Sequence, residues 1–125
     1  MMIGMGLGMV DRDIEVGKEY KVGTFTVDGV TYDRYVKIVD CGAMPSNTTK
    51  PVAHGITNIL GVLSLEGVMI RSSGTGNTWY VLPFCDGISL NDTIKVYVDP
   101  ANINIEANTS WGSNYYVYVT LEYYK

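Results

Sequence analysis

The chain has 125 residues, enough for one domain that buries roughly two-thirds of its unfolded surface. Its net charge of −4 and pI near 4.7 exclude the positive footprint that DNA, RNA or an anionic membrane requires. Fourteen Gly and ten Tyr, with many Val, Ile and Thr, favour strands and turns over helices.

Residues 1–17 hold four glycines and four methionines and show no alternation. The apolar run MMIGMGLGMV has no positive flank and is short for a bilayer span, so neither a secretory signal nor membrane insertion is expected. It reads as a flexible arm, either a disordered leader or a peptide that orders on a partner. Asp11, Asp13 and Glu15 alternate as calcium ligands do, but Val22 stands where the closing glutamate belongs, so no metal is expected.

From Lys18 the period becomes two and a single domain, 18–125, begins. Tyr20–Val27 and Val30–Asp40 flank Asp28-Gly29, the signal of a hairpin whose two central residues both take positive φ. Gly42, Pro45, Asn47 and Pro51 then break the pattern into a corner over 41–51, with a short strand expected at Val52–Ile56. The lone histidine, His54, is expected to make structural hydrogen bonds. A turn near 56–59 and a long strand Leu60–Arg71 follow, then a loop 72–77 and a strand Thr78–Phe84. Thr93–Asp99 and Asn102–Ala107 alternate around Asp99-Pro100-Ala101, a hairpin with Ile103 and Ile105 inward and Asn102, Asn104 and Glu106 on a wet face. Cys41 and Cys85 both adjoin apolar runs and are read as free thiols. The Asn-x-Ser/Thr triplets at Asn47, Asn91 and Asn108 are read as turn chemistry.

The last strand, Tyr115–Tyr124, sets Val117, Val119, Leu121 and Tyr123 on a core face and Tyr116, Tyr118 and Tyr124 on the other. Aromatics on the wet side of a strand call for a second layer, here expected from another subunit. Seven or eight strands of this spacing predict an all-β, antiparallel β-sandwich of Greek-key or jelly-roll type. No catalytic set is found: His54 has no second histidine, and Gly61-Val62-Leu63-Ser64-Leu65 fails the nucleophile-elbow pattern. The chain is therefore expected to be no enzyme and to need no cofactor. Binding is the better reading. Trp111 stands in a Gly/Ser/Asn loop, where it either caps the end of the sheet or, with Asn108, Ser110 and Asn114, offers a sugar an aromatic plane and hydroxyl partners.

The run DCGAMPSNTTKPVAHGI (Asp40–Ile56) resembles a motif of tailed-bacteriophage fibre proteins, in which a proline-bearing Asn/Thr turn leads to Val-x-His-Gly-Ile. The hairpin GTFTVDGVTYDR (Gly23–Arg34) and the ending YVTLEYYK are similar to that family's opening hairpin and closing strand, in the same order. Cys41 replaces the usual aromatic and Tyr124 the usual threonine. The resemblance implies a homotrimeric β-sandwich knob on the virion, on a tail or head fibre; the leading expectation for its function is contact with host-surface glycans. Alternatives are a capsid-decorating head fibre without specific receptor binding and, less favoured, a polysaccharide hydrolase. With no heptads or repeats to form a shaft, residues 1–17 become the expected docking arm for a capsid or tail protein.

Overall fold

A computed structural model describes residues 14–71, 78–82, 84–85, 93–108 and 115–125. These residues form nine strands: β1 (Glu19–Val27), β2 (Val30–Ala43), β3 (Thr48–Ala53), β4 (Gly61–Arg71), β5 (Thr78–Leu82), β6 (Phe84–Cys85), β7 (Thr93–Val98), β8 (Asn102–Ala107) and β9 (Tyr115–Tyr124). There is no helix among them. The strands make two antiparallel sheets, a five-stranded one in the order β1-β2-β9-β4-β5 and a four-stranded one in the order β3-β8-β7-β6. The all-β reading holds.

Asp28 and Gly29 have φ of 51° and 78°, the pair of positive values that the β1–β2 hairpin demands. β2 runs three residues past the expected end at Asp40, and just beyond it the Met44 N–H still donates to the Tyr115 carbonyl at 2.9 Å. The next strand was expected at 52–56 but occupies Thr48–Ala53. Pro51 is tolerated there because β3 is the outer strand of its sheet, where a missing N–H breaks no ladder. At this corner Gly42 and Asn47 take the left-handed conformation, with φ of 71° and 53°. Beyond Ala53 the His54 N–H turns to the Ala101 carbonyl at 3.2 Å and the strand ends. The strand expected at 78–84 is two: β5 and β6 belong to different sheets.

The chain divides into two compact units, and β2, β4 and β9 each contribute to both. The first comprises the described parts of Met1–Val39 with Thr57–Leu65 and Thr120–Lys125. Its centre is Tyr123, fully buried, which stacks on Tyr35 at 5.8 Å between centroids and donates its hydroxyl hydrogen to Glu19. Burial, then the Glu19 carboxylate, push this phenol up from its ordinary range. On the other face Arg34 pairs with Glu122 at 2.5 Å, and Tyr124 packs on Phe25 and Tyr32 at 4.9 and 5.1 Å.

The second unit comprises Asp40–Ile56 and the described parts of Glu66–Val119. Its core is aliphatic: Met69, Ile103, Ile105, Val117 and Val119 are fully buried, with Leu82, Ile94, Cys41 and Met44 nearly so. Gly67 is required by close approach. A β-carbon there would lie 2.9 Å from Leu82 Cβ, closer than two carbons tolerate. Cys41 is buried and in no disulfide, as read from the sequence; the Cys85 side chain lies outside the described residues.

Candidate functional site

The outward face of the four-stranded sheet gathers polar and aromatic groups in two adjacent rows. Thr49 on β3 lies opposite Glu106 on β8, which lies opposite Lys95 on β7. One step along, Pro51, Asn104 and Tyr97 form the second row. Side chains two residues apart on a strand share a face, so Tyr97 stands roughly 7 Å from the Lys95–Glu106 row. Tyr97 is 46% exposed, while the Lys95 ammonium and Glu106 carboxylate face each other at 3.9 Å, both well exposed. An exposed pair at that separation contributes little stability and is open to exchange for ligand contacts.

At the end of these rows Asn47, Thr48, Thr49, Glu106, Ala107 and Asn108 line an open cleft of about 350 Å³. Beside Ala107 and the threonine methyls its lining offers amide, hydroxyl and carboxylate groups, a set that donates to and accepts from a polyol. Asn108 is exposed and also closes the β7–β8 ladder: its Oδ1 accepts from the Thr93 N–H at 2.9 Å and its own N–H donates to the Thr93 carbonyl at 3.3 Å.

A network beneath the β7–β8 turn holds the face in place. Ile56 N–H donates to His54 Nδ1 at 3.1 Å, which leaves Nε2 to carry the proton and donate to the Asp99 carbonyl at 3.1 Å. His54 is 2% exposed, and both ring nitrogens make hydrogen bonds of the kind expected from the sequence. Asp99 Oδ1 accepts from the Ala101 and Asn102 N–H groups at 2.9 and 2.7 Å, and Oδ2 from Asn104 Nδ2 at 2.9 Å. The Asn104 amide first, then those backbone donors, hold the Asp99 carboxyl below the usual aspartate range. Asn104, expected on a wet face, is buried at 7% exposure, because Asp99 satisfies its amide and the Pro51 and Tyr97 positions flank it.

Of the sugar-site residues expected from sequence, Asn108 is placed on this cleft, while Ser110, Trp111 and Asn114 lie outside the described residues. Sequence reasoning missed Tyr97, Thr49 and Glu106 as a group. Thr49 and Glu106 are joined only by strand pairing between distant segments, which no local pattern reveals. Of the expected interface tyrosines, Tyr116 is 43% exposed and Tyr118 half-buried, both in the second unit; Tyr124 belongs to the first, covered in part by Phe25 and Tyr32. Among the described residues no group of three or more His, Cys, Asp or Glu is arranged to hold a metal ion. Comparison with models of known families, with curated proteins and with solved structures finds no match to this chain.

Proposed function

We propose that this chain is a structural protein of a bacteriophage particle, a small homotrimeric β-sandwich knob on a fibre exposed at the virion surface that contacts host glycans. The observation that carries the glycan half is the outward face of the β3-β8-β7 strands: an exposed Tyr97 beside Thr49, Lys95 and Glu106, leading into the Asn47–Asn108 cleft. A pyranose needs a flat aromatic plane for its C–H face and fixed polar groups for its hydroxyls. Tyr97 supplies the plane that the sequence reading assigned to Trp111. The virion half rests on the Asp40–Ile56 motif and the matching order of hairpin, corner and closing strand. In this reading residues 1–17 dock to a capsid or tail protein.

Two experiments test it. On a glycan array the protein should bind a defined set of sugars, and Tyr97→Ala should weaken that binding at least tenfold, with Glu106→Gln weakening it less. The absence of any specific sugar, or binding indifferent to Tyr97→Ala, would leave a decorating fibre without receptor recognition. Deleting residues 2–16 should yield a knob that still assembles but no longer decorates particles; continued decoration would remove the docking role.

A further inference from the structure

In the second unit β9, β4 and β5 bury one side only. Val117, Val119, Met69 and Leu82 face inward, and the alternate positions, Tyr116, Tyr118, Val68, Ile70, Trp79 and Val81, form the opposite face. The β4–β5 register sets Val68 opposite Val81 and Ile70 opposite Trp79, so four of the six are direct neighbours. Trp79 is 64% exposed and Val81 77%, and none of the six carries a charge.

Side chains of this size leave roughly 400 Å² uncovered across Trp79, Val81 and Tyr116 alone. That is within the range of the largest patch on a typical monomer, and such patches are commonly functional. It is also about half of the ~800 Å² that each partner contributes to a standard interface, before Val68, Ile70, Tyr118 and a rim are added. The other sheet's outward face carries Lys95 and Glu106 and is finished for water. Two outer strands of the sheets also carry charge or proline against unwanted pairing, Lys21 on β1 and both Lys50 and Pro51 on β3. β5, the outer strand at the other end of its sheet, reads TWYVL and carries neither.

We infer that a second copy of this chain covers the β9-β4-β5 face, with Trp79 and Val81 at the centre of the contact and Tyr116 and Tyr118 extending it. The face is apolar at its centre with Glu66 of β4 at its rim; such a centre selects an occupant equally apolar, and the chain itself presents one of matching area. The inference deepens the assembly half of the proposed function: it places the centre of the contact on Trp79 and Val81, which the sequence reading did not single out, beside Tyr116 and Tyr118, which it did.

Native mass spectrometry and sedimentation at micromolar concentration test it. The full chain should be oligomeric. Trp79→Lys and Val81→Lys, both at exposed positions, should keep the strand-rich circular dichroism of the parent and raise the dissociation midpoint at least 100-fold. Val30→Lys, an exposed apolar residue of the β1–β2 hairpin, serves as the control and should leave the assembly intact. A monomeric parent, or an oligomer indifferent to both lysines, would overturn the inference, as would equal loss with Val30→Lys. Sugar binding by the lysine variants is read separately, so failure here is distinguishable from failure of the glycan reading.

Discussion

The two ends of β9 carry the same alternation and come to different ends. At Thr120–Tyr124 every large side chain meets a partner from its own chain: Tyr123 has Tyr35 and Glu19, Glu122 has Arg34, and Tyr124 has Phe25 and Tyr32. At Tyr115–Val119 the inward valines are buried, but outward Tyr116 stays 43% exposed on a face shared with Trp79 and Val81. A tyrosine on the wet side of a strand is therefore not by itself a mark of assembly. What decides is whether a neighbouring strand offers an aromatic or a charge within reach.

The largest expected effect breaks the covered end. Tyr123→Ala should cost about 3–5 kcal/mol, because it empties a fully buried aromatic site and strips Glu19 of its hydroxyl donor. Tyr116→Ala should change the stability of the isolated chain by no more than ~0.5 kcal/mol. Denaturant titration of both at a concentration where the parent is monomeric measures the contrast directly. His54→Ala is next, at about 2–4 kcal/mol, since it leaves the Ile56 N–H and the Asp99 carbonyl without their ring partners. It should also loosen the β7–β8 turn under Tyr97, visible as faster amide exchange at Ala101 and Asn102.

Two glycines of β4 sharpen the comparison on a smaller scale. A β-carbon at Gly67 would press on the Leu82 β-carbon at 2.9 Å, inside the packed core, so Gly67→Ala should cost about 1–3 kcal/mol. At Gly61 it would run into the ring of Tyr124, but that ring is the far end of a half-exposed side chain and can swing aside. Gly61→Ala should therefore cost about 1 kcal/mol or less. Thermal unfolding of the pair gives the order, and equal losses would mean that the Tyr124 ring is held as rigidly as Leu82.

Local chemistry was legible in the sequence where one segment contains its own answer. Asp28-Gly29 specifies the hairpin by the conformations that it permits, and the alternation of β7, β8 and β9 assigns their buried sides correctly. β3 was placed four residues too late because Pro51 reads as a breaker when nothing says that its strand lies at a sheet edge. The proposed glycan face was illegible for a related reason. Thr49, Glu106 and Tyr97 are each ordinary in sequence, and only the non-local pairings β3–β8 and β8–β7 set them in adjacent rows. Trp79 and Val81 share a parity within TWYVL, a signal that was present but gave no hint which side of β5 would be covered.

The smallest effect at neutral pH concerns Cys41, 2% exposed in the second unit. Burial first, and the nearby Asp40 charge second, push its thiol up from 9.0 to about 11, against a smaller opposing pull from Lys50. The folded chain thus favours the neutral thiol. Its contribution is fully present below the unfolded value near 9 and is lost as pH rises through about 11. At pH 8 only about one Cys41 in a thousand should be thiolate, so alkylation, read by peptide mass, should be slow until the chain unfolds. Cys41→Ala should flatten part of the loss of stability between pH 9 and 11. Tyr123, whose phenol is raised by the same logic in the other unit, adds to that loss above its ordinary value of 10.0. An alkaline profile unchanged by Cys41→Ala would mean that Cys41 ionises no differently in the folded and unfolded chains.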